Sequence, residues 1–236
     1  MAGKVLILGS GPSVLAARDW AILPFDYIVA INNAWAVRPE WTHHIHPEDF
    51  PPERRPTDIG PKQKVITAAD YVEVQNRYGG FVYAGGTMAF TAAYWALGAL
   101  RPDKIAFLGC DMVYPATGNT HFYGTGTADP LRDDISLRSL PAKARRFQAL
   151  AARQGCVSVN LSTELSVLPY PRLAIDALNR APSADLGQPD LVDRALRQEE
   201  TAGYFVPSGR YWLEQDRFDP SVIDTIDSAW LKAFEI

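Results

Sequence analysis

A doubly wound, mostly parallel α/β sheet followed by a C-terminal helical extension is the fold that three features of this 236-residue sequence predict. Short aliphatic or β-branched runs alternate with helix-length segments along residues 4–165. The runs are apolar throughout instead of alternating with polar residues, as strands buried on both faces are. Several of them stop at Gly, Asn, His or Asp, the residue types that turn a chain and bind ligands at strand ends.

Lys4-Val-Leu-Ile-Leu8 is the first such run and ends in Gly9-Ser10-Gly11-Pro12-Ser13. A helix is expected through Val14 to Trp20. Tyr27 to Ile31 is the second strand and stops at Asn32-Asn33. Trp41-Thr-His-His-Ile-His46 reads as a third, more exposed strand, closed by Pro47. Residues 51–64 carry four prolines and read as a loop, and Val65-Ile-Thr67 as a short strand. Gly85-Gly86-Thr87 opens an Ala-rich helix from Met88 to Leu100. Lys104 to Leu108 is the next strand, ending in Gly109-Cys110-Asp111. A helix over about 140–153 and a strand over Cys156 to Asn160 complete the sheet.

Composition narrows the function. Hydrophobic residues are 47% and charged residues 21%, as in ordinary globular chains, so wholesale disorder is excluded. Lys plus Arg number 23 against 27 Asp plus Glu, net −4, so the chain lacks a basic footprint for nucleic acid. Two cysteines, Cys110 and Cys156, cannot build a disulfide framework or a cysteine-rich zinc site. The start of the chain lacks a signal-peptide pattern, and the longest apolar stretch, residues 89–100, is too short to be a transmembrane segment of ~20 residues. A cytoplasmic protein is expected.

The charge is uneven. From Asn179 onward there are 11 acids and 6 bases, net −5, so residues 1–178 are net +1. This shift divides the chain into a nucleotide-binding part, 1–178, and an acidic, aromatic-containing extension, 179–236. Apolar spacing at Leu191 to Leu196 and Val222 to Leu231 predicts amphipathic helices there, packed on the core or on a second subunit of a homo-oligomer. Arg132, Arg138, Lys143, Arg145, Arg146 and Arg153 crowd one region. They read either as a solvated helix face or as an attraction for a phosphate-bearing ligand.

Ligands of open parallel sheets bind outside the carboxyl ends of the strands. Gly9 to Ser13, Asn32-Asn33, His46 and Gly109-Cys110-Asp111 all fall there. Gly9-Ser10-Gly11-Pro12-Ser13 could be a phosphate cradle at a helix start, or a tight turn with Ser13 as the helix cap. It is neither a dinucleotide G-x-G-x-x-G fingerprint nor a Walker A loop. Gly85-Gly86-Thr87 is a second candidate cradle. His44 and His46 share a strand face and could form a metal pair with Asp111 or Glu48, or pack as ordinary side chains. Asp111 could hold magnesium, act as a base or cap a turn. Residues 112–134, rich in Gly and aromatics, read as a lid or a static loop carrying Tyr114, His121 and Tyr123, with His121 the candidate general base.

The order of these motifs resembles the bacterial sialyltransferases of glycosyltransferase family 42. It also resembles the broad family that includes 6-hydroxymethylpterin diphosphokinases. The resemblance covers roughly residues 4–165 and implies a Rossmann-like fold. From the sialyltransferases it implies that Gly9 to Ser13 and Asn32 bind the CMP part of a nucleotide-sugar donor, with His46 where that family has Asn. It further implies that Gly85-Gly86-Thr87 and Gly109-Cys110-Asp111 line the site and that Tyr114 and Tyr123 stabilise the leaving phosphate. Ser136 falls near the position of that family's catalytic His. The implied function is a glycosyltransferase requiring no cofactor. The diphosphokinase alternative brings magnesium to Asp111, and a non-catalytic nucleotide- or sugar-binding module is the third reading.

Overall fold

The computed structural model describes residues 3–21, 23–114, 118–124 and 132–235. Six parallel strands form one sheet: β1 (Lys4–Leu8), β2 (Tyr27–Ile31), β3 (His43–Ile45), β4 (Lys64–Ile66), β5 (Lys104–Leu108) and β6 (Val157–Asn160). Their order is β4-β3-β2-β1-β5-β6. The chain steps outward from β1 to β4, then returns through α1 (Ala68–Asn76), α2 (Phe81–Ala84) and α3 (Met88–Trp95) to place β5 on the other side of β1. That reversal between β1 and β5 is the topological switch point, and it leaves the carboxyl ends of the two strands side by side. The fold is doubly wound and Rossmann-like.

Strand side chains alternate between the sheet's two faces. Val5, Ile7, Val29, Ile31, Ile105 and Phe107 face α1, α3 and α4 (Leu140–Arg153). Leu6, Leu8, Ile28, Ala30, Ala106 and Leu108 face the other side, where Val14, Ala17, Ala34, Trp41 and Leu178 cover them. Strand residues past the first therefore need an apolar or neutral side chain, which is why the runs read as continuous; the lysines Lys4, Lys64 and Lys104 stand at strand starts. The expectation of a more exposed third strand is overturned: His43, His44 and Ile45 are all buried. The His43 ring lies 5.0 Å from that of Trp95, and the His44 ring 6.0 Å from that of Trp41.

Two local forms differ from expectation. The first helix is a 3-10 helix over Pro12–Asp19, entered through Gly11, and its starting residue makes no side-chain cap. Ser13 is instead bonded elsewhere, as described below. The Ala-rich helix is α-helical only to Trp95 and continues as a π-helical turn over Ala96–Leu100.

The extension folds into α5 (Pro189–Ala202) and α6 (Pro220–Lys232), matching the apolar spacing of the sequence. Both pack on α2 and α4 around Trp230, Ile223, Val192 and Tyr83. Arg132, Arg138 and Arg153 of the basic cluster are exposed, as a solvated face requires, but Lys143 and Arg146 are buried. Arg146 is 1% exposed and gives two 2.7 Å hydrogen bonds to Glu199 of α5, one to the Tyr94 hydroxyl and one to the Tyr78 carbonyl. Trp230 of α6 donates to the same carboxylate. Lys143, also 1% exposed, donates to Asp227 of α6 at 2.7 Å. Arg138 holds Asp224 with two bonds, Arg153 pairs with Asp193, Arg145 lies over the Phe234 ring and Arg132 donates to Tyr211. All six bases thus bind the extension, whose net negative charge is their complement. The division after residue 178 falls inside a short 3-10 helix, Ile175–Arg180, and Asn179 accepts a bond from Lys4 of β1.

Removing one partner of a buried pair strands the other charge and costs about 3–5 kcal/mol, whereas an exposed pair is worth about 0–1 kcal/mol. Glu199→Ala should therefore destabilise the chain by several kcal/mol in urea unfolding. Asp224→Ala, which breaks the half-exposed Arg138 pair, should cost under about 1 kcal/mol. Equal effects would mean that the buried pair is not what clamps the extension.

Candidate functional site

The carboxyl ends of β1, β2 and β5 open into a cleft of about 190 Å³ at the switch point. Its walls are the loop after β1 (residues 9–12), Asn32, the start of α3 (residues 87–89), residues 109–114, and Thr120, His121 and Tyr123. It thus unites Gly9, Ser10, Gly11, Pro12, Asn32, Thr87, Gly109, Cys110, Asp111, Tyr114, His121 and Tyr123 from the sequence-predicted set. Ser13, Asn33, His46, Gly85 and Gly86 do not line it.

Asp111 is the junction of three strand ends. Its Oδ2 accepts from the Ser13 hydroxyl at 2.6 Å and from the Ser162 hydroxyl at 2.9 Å. Ser13 Oγ in turn accepts from the Gly109 amide. One carboxylate thereby ties the loops after β1, β5 and β6 together, and it is 8% exposed. Its other oxygen, Oδ1, has no hydrogen-bond partner, and the same is true of Ser10 Oγ and Asn32 Oδ1. An unpaired buried polar atom costs about 1–3 kcal/mol, and three of them belong to residues that line this cleft.

Asn32 sits in the left-handed region, φ 49°, which Asn tolerates better than most residues. His44 holds it there, donating from Nε2 to the Asn32 carbonyl at 2.8 Å, because a carbonyl can only accept. Burial pushes the His44 ring down to about 4, partly opposed by that bond, and burial with the nearby Lys64 brings His43 down to about 4. Both are neutral packing groups. His46 is buried too, bonded to the Pro47 carbonyl and set against Phe50. Among the described residues no cluster of His, Cys, Asp or Glu is arranged to hold a metal ion.

The two glycine motifs serve packing. A Cβ on Gly11 would lie 2.8 Å from the Gly109 carbonyl, so the loops after β1 and β5 can meet only without side chains. Gly86 leaves room for the Tyr211 hydroxyl of the extension, and its amide donates to Ser136. Thr87 caps α3, accepting from the Phe90 amide at 3.2 Å. Gly86 is therefore a docking point for the extension, while Thr87 borders the cleft. Ser136 is fully buried in a network with Asp134 and Tyr211, so it lines no wall of the cleft. Burial drives the Cys110 thiol strongly upward, which removes it as a nucleophile.

On the opposite wall, the His121 and Tyr123 rings stack at 5.0 Å, and Thr120 Oγ1 lies 2.9 Å from His121 Nδ1. The Phe122 amide donates to the Ser10 carbonyl at 2.9 Å, fastening this segment to the first loop. The expected lid over 112–134 lies partly outside the described residues, at 115–117 and 125–131. Ser162 was missed in the sequence; a lone Ser two residues past a strand carries no signal, and only the fold brings it to Asp111. Comparison with known protein families, curated proteins and solved structures finds no match. No helix among the described residues is long and apolar enough to cross a membrane.

The histidines give a pH signature. In the unfolded chain His43 and His44 take up protons near pH 6.5, whereas in the folded chain they resist down to about pH 4. Stability is complete above 6.5 and falls between 6.5 and 4, as unfolding takes up close to two protons. Urea midpoints across that range should show this slope, and His43→Gln should remove about half of it. A flat profile in the wild type would mean that the rings are not held neutral.

Proposed function

We propose that this chain is a transferase using a nucleotide-activated donor, a sialyltransferase-like glycosyltransferase with a CMP-sugar as the donor class. The observation that carries this reading is the cleft itself: unpaired oxygens of Ser10, Asn32 and Asp111 on one side, and His121 with Tyr114 and Tyr123 on the other, at the switch point of the sheet. The order of motifs along residues 4–165 supports the same assignment.

In this reading the loop after β1 and Asn32 hold the nucleoside. The Tyr114 and Tyr123 hydroxyls donate to the departing phosphate, neutralising the charge that develops as the glycosidic bond breaks. His121, its ring oriented through Nδ1 by Thr120, takes the proton of the acceptor hydroxyl at Nε2. Asp111 is a weaker base candidate, because one of its oxygens is committed to Ser13 and Ser162. The cleft's volume of about 190 Å³ is below the roughly 300–1,000 Å³ usual for small-molecule sites. A whole donor therefore requires the 118–124 segment to move outward, and the Phe122–Ser10 bond is the contact that yields.

A thermal-shift panel of CMP, CDP, UDP, GDP and ATP, with and without magnesium, tests the reading, since a ligand of the folded form raises the midpoint. CMP should bind without magnesium. Ser10→Ala and Asn32→Gly should each weaken it about 5- to 20-fold at an almost unchanged melting point. Glycine is chosen because it keeps the left-handed backbone of residue 32. His121→Ala should lower turnover of a CMP-sugar at least about 100-fold. A strict magnesium requirement would instead favour diphosphoryl transfer, and binding without donor cleavage would leave a non-catalytic module.

A further inference from the structure

A second pocket lies at the edge of the sheet opposite the cleft. Arg101 and Pro102 lead into β5 and Gln154 stands between α4 and β6, so the pocket opens at the amino ends of those strands. Its volume of about 410 Å³ is within the roughly 300–1,000 Å³ usual for small-molecule sites. Arg77, Tyr78, Gly98, Arg101, Pro102 and Gln154 line it, and no Asp or Glu is among them. Gly98 belongs to the π-helical turn, and it carries no side chain where Tyr78 takes the space: a Cβ there would lie 3.1 Å from the Tyr78 ring and 3.2 Å from its hydroxyl. The turn ends on Arg101, in the left-handed region at φ 47°, because Pro102 cannot continue a helix. A residue with a side chain is uncommon in that conformation, which glycine adopts readily. The chain thus keeps an arginine where glycine would be less strained.

The lining is rich in hydrogen-bond donors. The Arg101 guanidinium has no hydrogen-bond or ion-pair partner among the described residues. Arg77 is tied only to Glu73 one helical turn away, an exposed pair of little strength. Gln154 Nε2 donates to the Tyr78 hydroxyl at 2.8 Å, so the phenol keeps its own hydrogen to give, and no described residue accepts it. Burial raises the Tyr78 phenol above its ordinary value, while the Gln154 bond and the charges of Arg101 and Arg77 pull it down, so both guanidiniums act on this hydroxyl. We propose that this pocket binds the phosphate group of a small anion, either free phosphate or a phosphomonoester. Two guanidiniums and one hydroxyl answer the three terminal oxygens of such a group, and the guanidinium fork fits phosphate in a bidentate manner. A carboxylate, with two oxygens and one charge, leaves part of this set idle. The proposal does not depend on the transferase reading, whose residues lie at the other edge of the sheet.

Thermal unfolding of the full chain, in chloride buffer at constant ionic strength, tests this with inorganic phosphate, glycerol phosphate and malonate titrated separately. Phosphate should raise the midpoint along a saturating curve. Arg101→Gly keeps the left-handed backbone, and Arg77→Ala breaks only the exposed Glu73 pair, so both variants fold. Each should weaken phosphate binding about 10- to 100-fold, and Tyr78→Phe about 2- to 10-fold. Ser10→Ala, in the cleft, should leave the response unchanged. Glycerol phosphate binding more tightly than phosphate identifies an organic phosphomonoester as the ligand; otherwise the ligand is free phosphate. A rise of equal size in the wild type and both arginine variants is a general salt effect and overturns the proposal. So does malonate that binds as tightly as phosphate, a response lost in Ser10→Ala, or no saturable rise at all. Each of these results leaves the transferase reading to be judged by its own nucleotide panel.

Discussion

The rest of the structure depends on how one buried guanidinium is satisfied. Arg146 lies in α4, on the face turned away from solvent, where an unpaired cation would be prohibitively expensive. Glu199 from α5 supplies both carboxylate oxygens, Trp230 from α6 completes that carboxylate, and the Tyr94 hydroxyl and Tyr78 carbonyl take the remaining donors. One ion pair therefore connects the helix behind the sheet to both helices of the extension. Lys143, about one turn before Arg146 in α4, and Asp227 repeat the arrangement, though less completely: Asp227 Oδ2 has no partner, and burial raises its carboxyl against the pull of Lys143.

This clamp also shapes the site. Because the extension docks through Tyr211 against Gly86 and Ser136, the start of α3 is fixed from behind while its front edge borders the cleft. The basic residues of α4 and its approach are spent on holding that extension. What remains at the carboxyl edge of β1, β2 and β5 is a set of oxygen atoms organised by Asp111, which binds three loops with one oxygen and leaves the other unpaired. The electrostatic character of the cleft follows from where the cations were used.

Much of the architecture was legible in the sequence because both faces of the sheet are covered. Runs such as Lys4–Leu8, Tyr27–Ile31 and Lys104–Leu108 must then be apolar at every position after the first, and their ends coincide with the strand ends observed. The third strand misled because His43, His44 and His46 are polar by composition. The three rings are nevertheless buried, tilted against Trp95, Trp41 and Phe50. Most of the cleft lining was legible for a related reason: residues that end adjacent parallel strands share an edge whatever the details of the loops.

Local sequence alone determined the strands, the amphipathic extension helices and the clustering of Gly9 to Pro12, Asn32 and Gly109 to Asp111 at one sheet edge, since these follow from short-range pattern and from parallel topology. Only the tertiary structure decided what the charged and glycine residues do. Arg146 reads alike whether it faces water, a phosphate or Glu199, which lies 53 positions away. Gly86 reads alike whether it cradles an anion or admits Tyr211. The role of each is fixed by a partner distant in the chain, and no local pattern records which partner folding will bring.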